Sequence, residues 1–137
     1  MTGPAAPRLE LSVLPGLFAV CRLPAGSALP SWFQPGPFAT VSWSADEVSL
    51  VCGQEQVPVD APARCERDWC CLKLHGPIPF QSTGILLRIL QPLADVGIGI
   101  FAISTFDTDY VLVKQASRNA AIAALVDAGH RVGGHAE

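Results

Sequence analysis

The chain has 137 residues, of which 50% are hydrophobic and 15% charged, with a net charge of −3. Such a length holds one compact domain or two very small ones, and the composition is that of a globular chain able to bury a core without metals or disulfides. The acidic balance and the scattered Lys and Arg residues exclude a phosphate-backbone binder, so no nucleic-acid partner is expected.

The opening residues, MTGPAAPRLELSVLPG, lack a basic start followed by an unbroken apolar stretch. The longest charge-free apolar run, VGIGIFAI, falls far short of the ~20 residues that span a bilayer. The expectation is a cytoplasmic protein with no targeting segment and no membrane partner. From Leu9 to Val59 the chain reads mostly as β, with LFAVCRL, FATVSWS and VSLVCG as strand-like runs and SADE as a turn candidate between the last two. PSWFQPGP stands where a β-α-β-β order would put a helix, but its prolines allow one turn at most. The segment VPVDAPARCERD is Pro-rich, charged and without apolar periodicity. It divides the chain, with 9–60 as a β-rich unit, 61–68 as a linker and 69–132 as a second unit.

The second unit is the clearer one. WCCLKLH alternates like a strand and GPIP breaks it. In STGILLRILQPLADVG, Ile85, Ile89 and Leu93 recur at a spacing of four and make one apolar helical face. Ser82 or Thr83 can cap its start and Gly97 can end it, while Pro92 inside the pattern removes one backbone donor. IGIFAIST and YVLVK are strands joined by a short turn, most simply a hairpin. SRNAAIAALVDAG then reads as a helix with Ser117 at its N-cap, and HRV (130–132) as a short last strand. The order is β-α-β-β-α-β, the α+β, ferredoxin-like arrangement of four antiparallel strands with both helices on one face. The other sheet face is too apolar to meet water throughout and should dock onto another unit.

The hairpin turn is unusual. Between two apolar runs, Ser104, Thr105, Asp107, Thr108 and Asp109 place five small polar groups in six positions. A turn needs one or two. Asx turns and local threonine bonds at a hairpin are one reading of them. Contact with a ligand is the other, with Asp109 the better candidate and Asp107 nearer the tip and solvated. Phe106, an aromatic in a polar turn, reads as one wall of a ligand slot.

Rival chemistry is weaker. Cys21, Cys52, Cys65, Cys70 and Cys71 are odd in number and two are adjacent, so they read as reduced thiols. Cys65, Cys70, Cys71 and His75 lack the spacing of a structural zinc site, and adjacent strand cysteines point to opposite faces. His75, His130 and His135 come with no motif that would orient a base for a nucleophile. No metal, no cofactor and no enzymatic activity are expected.

VGIGIFAISTFDTDYVLV, with the preceding helix and the following AGHRV, resembles the ACT domain, and more narrowly that of the CASTOR-type arginine sensors and their small bacterial relatives. EVSLVC and FAVCRLP resemble the paired N-terminal ACT-like unit of those relatives. The resemblance implies two ACT-like units, the first reduced, in a regulatory module that binds a free amino acid at an interface between units. Carried over, the ligand positions are Ser82, Thr83 and Gly84 at the helix opening, Thr105, Phe106, Thr108 and Asp109 in the turn, and Gly99 and Ile100 from across the interface. The sensors hold four units in one chain, so here a homodimer would supply the same pairing. The chemistry agrees: a helix start offers unpaired N–H groups to a carboxylate, Gly84 permits close approach, and Asp109 offers charge to an ammonium or guanidinium group. The alternative is a structural or protein-interaction domain of the same fold with no ligand.

Overall fold

The computed structural model describes residues 8–61, 64–79 and 83–134. Its strands are β1 (Glu10–Val13), β2 (Phe18–Pro24), β3 (Thr40–Trp43), β4 (Glu47–Gly53), β5 (Arg64–Leu74), β6 (Phe101–Ser104), β7 (Asp109–Lys114) and β8 (Arg131–Gly133). Its helices are α1 (Ile85–Asp95) and α2 (Arg118–Asp127). The chain forms two compact units, one from Pro15 to Cys70 and the other from Met1–Leu14 with Cys71–Glu137.

In the unit 15–70 the strands run in the order β3-β4-β2-β5, all antiparallel. Alternation puts Ala19, Cys21 and Leu23 of β2 on one face with Val48, Leu50 and Cys52 of β4, all buried. Trp32 and Phe33 pack against this cluster from a loop without regular structure. The Pro-rich PSWFQPGP stretch thus covers the face as a turn, in the place of a helix.

The expected linker over 61–68 is strand from Arg64 onward. Two features hid it. Arg67 is only part-exposed and donates to the carbonyls of Val57 and Pro58, so a charged residue takes an inward position. A bulge also breaks the register, which passes from Phe18↔Trp69 to Val20↔Glu66. Asp68 there has φ +67 and is held by the Gln54 side chain, which donates to its carboxylate at 3.0 Å and accepts its backbone N–H.

The second unit is α+β, and it contains one strand more than the β-α-β-β-α-β order. β1 pairs antiparallel with the end of β5 (Leu11↔Leu74) and parallel with β8 (Leu11↔Val132). β7 pairs with both β5 and β6. The segment from Leu9 to Val13, expected in the N-terminal unit, therefore packs with the C-terminal one. Ile89 and Leu93 of α1 and Ala121 and Leu125 of α2 are buried, as are Leu11, Leu72, Leu74 and Val111–Val113 of the strands. The spacing of four along α1 matches this burial, and Pro92 is accommodated within the helix.

Gly97, with φ +77, follows the C-cap of α1 as expected, but the start of that helix differs from expectation. Gly84 is the N-cap of α1, with φ +73 and no side-chain cap hydrogen bond. Ser82 lies outside the described residues. Ser117 does stand at the N-cap of α2, again without a side-chain bond, after a single 3-10 turn at Gln115–Ser117.

Candidate functional site

The hairpin forms as the sequence implies, with β6 and β7 antiparallel and Ser104 opposite Asp109. Its turn is closed by Thr105, whose backbone N–H and hydroxyl both donate to the Thr108 carbonyl, at 2.8 and 3.1 Å. The Thr108 hydroxyl donates to the Leu74 carbonyl at 2.7 Å, and the residue is 5% exposed. Ser104 donates its hydroxyl to Asp109 Oδ1. The loop after β5 returns to this turn, where the Ile78 N–H donates to the Asp107 carbonyl at 2.6 Å. Gly76 makes the approach possible, because a Cβ there would lie 2.8 Å from that same carbonyl oxygen.

These elements enclose a hollow of about 260 Å³. Gly84, Ile85 and Leu86 line it from the start of α1, Ser104, Thr105, Phe106, Thr108 and Asp109 from the turn, and Ile78 and Pro79 from the loop. Gly84, Thr105, Phe106, Thr108 and Asp109 are thus brought together in one hollow. Thr83 is exposed and does not line the hollow; Gly99 and Ile100, just ahead of β6, do not line it either. Ser104, Ile78, Pro79, Ile85 and Leu86 are additional lining residues. Ser104 carried a signal in the polar run. Ile78 and Pro79 carried none, since GPIP reads only as a strand breaker.

Chemically the hollow has two ends. In a helix the first four N–H groups have no partner within it, and the first such bond here is Arg88 N–H to Gly84 O at 3.2 Å. With no side-chain cap among the described residues, the opening of α1 is a donor-rich, anion-favouring end. Asp109 supplies the acidic end. The rim is exposed, with Phe106 77% accessible.

Residues 64–127 match the family model of the ACT domain, and residues 16–60 match a second model, described as an N-terminal domain. A protein from Agobacterium tumefaciens with a crystal structure is 38% identical, over 96% of this chain and 98% of its own, with a TM-score of 0.87. The chain belongs to the family of that Agobacterium protein, and it carries an ACT domain. A Vibrio cholerae protein, described as of unknown function and a possible transport protein, superposes with a TM-score of 0.69 at 17% identity, over 88% of this chain and 89% of its own. The ligand-free regulatory subunit of aspartate kinase from Thermus thermophilus does so at 0.59 and 13%, over 87% and 96%. At these identities the likeness is one of fold. No curated protein sequence matches the chain.

Two histidines of the ACT unit have structural partners. His130, 8% exposed, accepts the Leu9 N–H at Nδ1 (3.3 Å), and its Nε2 lies 3.1 Å from the Arg88 carbonyl. Those bonds fit the tautomer with hydrogen on Nε2. His75 lies 2.6 Å from the Ser12 hydroxyl and 3.4 Å from the Glu10 carboxylate. Among the described residues no group of three or more His, Cys, Asp or Glu side chains is arranged to hold a metal ion. No described helix is long and apolar enough to cross a membrane.

Proposed function

We propose that this ACT-domain protein is a non-catalytic regulatory module that binds a free amino acid in the hollow at the start of α1. The observation that carries the reading is the juxtaposition, in one hollow, of a glycine-led helix N-terminus and the Asp109 carboxylate. A free amino acid has matching ends, a carboxylate for the N–H groups and an ammonium or guanidinium group for the acid. The regulatory subunit of Thermus thermophilus aspartate kinase shares the fold, which supports a regulatory rather than a catalytic role. The narrower likeness to CASTOR-type arginine sensors rests on VGIGIFAISTFDTDYVLV and makes arginine the first ligand to try.

Ligand sites generally bury most of a small molecule's surface. The rim of this hollow is exposed, so a second copy of the chain is the natural cover. Gly99 and Ile100, outside the hollow of their own protomer, would then contact ligand across a homodimer interface. Ligand would act by stabilising one arrangement of the dimer, to the extent of its difference in affinity between arrangements.

The second reading, a structural or interaction domain without ligand, has its own support. The hydroxyls of Ser104, Thr105 and Thr108 all have partners inside the turn or on Leu74. A thermal-shift screen of the twenty amino acids, with light scattering to weigh the species, separates the two readings. A midpoint that no amino acid raises leaves the interaction reading standing and the ligand reading without support.

A further inference from the structure

The unit 15–70 holds four thiols that the proposed ligand site does not use: Cys21, Cys52, Cys65 and, as its last residue, Cys70. Cys21 on β2 and Cys65 on β5 are directly opposed in the antiparallel register, and their side chains hydrogen-bond. Opposed residues have Cα atoms about 4.5–5.5 Å apart, inside the ~4.4–6.8 Å that a disulfide spans. Cys52 is opposed to Ala19. It is therefore a diagonal neighbour of Cys21, roughly 7–8 Å away and past the reach of a relaxed disulfide. Cys52 and Cys65 lie on the two strands that flank β2, about two strand spacings apart. Cys70 follows Trp69, the partner of Phe18, and so lies well along β5 from Cys65. The register thus selects one pair of the four. Accessibility orders its members, with Cys65 half-buried and Cys21 buried.

We propose that Cys21 and Cys65 form a reversible cross-strand disulfide when the protein meets a hydroperoxide. The Cys65 thiolate attacks one peroxide oxygen, the O–O bond breaks, and Cys65 becomes a sulfenic acid as one water leaves. The Cys21 sulfur then attacks the Cys65 sulfur, the S–O bond breaks, and hydroxide departs as water with the Cys21 proton. Two thiols lose two electrons and two protons, and hydrogen peroxide takes them up as two waters. A dithiol reductant reverses the change. Burial holds the Cys21 thiol protonated at neutral pH, so the second step quickens as the pH rises. The bond ties β2 to β5 and restricts the unfolded chain between residues 21 and 65.

The test treats the full chain with hydrogen peroxide, quenches it, denatures it and alkylates the remaining thiols before peptide mapping. Three of the five cysteines should alkylate, and the Cys21 and Cys65 peptides should appear joined and lighter by two hydrogens. The thermal midpoint should rise, and dithiothreitol should lower it again. Cys52→Ala should keep the cross-link and Cys65→Ser should lose it. Alkylation of all five thiols after peroxide, or a bond that joins any other pair, overturns the proposal. The map of the unmutated chain decides this even where a variant fails to fold.

Discussion

The Ser104 hydroxyl donates to the Asp109 carboxylate across the mouth of the β6–β7 hairpin, with 2.5 Å between the oxygens. The two residues are register partners, so the hairpin itself sets the contact. Oδ1 takes this bond, which leaves Oδ2 as the atom to meet a ligand cation. An amino acid at ~100 times its dissociation constant should stabilise the native protein by about 2.7 kcal/mol. Asp109→Ala should abolish that rise while the protein stays folded. Ser104→Ala should keep the response with affinity weakened by roughly tenfold or less, the usual worth of one hydrogen bond. An undiminished rise in Asp109→Ala would remove the acid from the site.

Gly84 reaches φ +73 at the entrance of α1, and the space around its missing Cβ is open. A side chain there meets no neighbour, so the penalty of substitution is conformational. Gly84→Ala should destabilise the protein by about 1 kcal/mol in urea unfolding, through left-handed backbone alone. It should also weaken amino-acid binding, since the methyl group enters a hollow whose donors are the adjacent N–H groups. Unchanged binding alongside the stability loss would mean that the ligand does not approach the helix start.

Thr108 lines the hollow, yet its hydroxyl is committed to the Leu74 carbonyl. Thr108→Val keeps the shape and orphans that acceptor, which should cost roughly 1–3 kcal/mol. Thr108→Ser should cost less, because the hydroxyl remains. At full folding both variants should retain the amino-acid response. Loss of binding with intact stability would reverse the assignment and make Thr108 a ligand contact.

The residues that were legible in the sequence are those whose partners are close in the chain. Ile85, Ile89 and Leu93 lie on one helix, and their period alone reveals α1. Ser104 and Asp109 face each other within one hairpin, so the polar turn announces itself. β1 falls in the wrong unit on a local reading because its pairs, Leu11 with Leu74 and with Val132, lie far along the chain. The start of β5 was hidden by Arg67, which turns a charge inward onto two carbonyls. Ile78 and Pro79 carry no local signal for the same reason as β1. Nothing local says that GPIP folds back to Asp107, and only Gly76, tight against that carbonyl, records the approach.

The buried thiols make stability depend on pH in a defined direction. Burial, then the neighbouring Cys65 and Glu55, push the Cys52 thiol from 9.0 up to about 11, against a weaker opposing effect of Arg67. Cys21 is shifted the same way, by burial first and then by its hydrogen bond to Cys65. A raised value means that the native state keeps its proton after the unfolded chain has released it. The contribution is therefore fully present below pH 9 and is lost as the pH climbs toward 11. Each such thiol should lower the folding constant by roughly tenfold per pH unit in that window. Urea midpoints should hold steady from pH 7 to 8.5 and then fall steeply. Cys52→Ala, compared with itself across the same range, should fall less steeply, and this comparison cancels the titration of Lys and Tyr. Parallel slopes in the two proteins would mean that Cys52 is not held protonated by the fold.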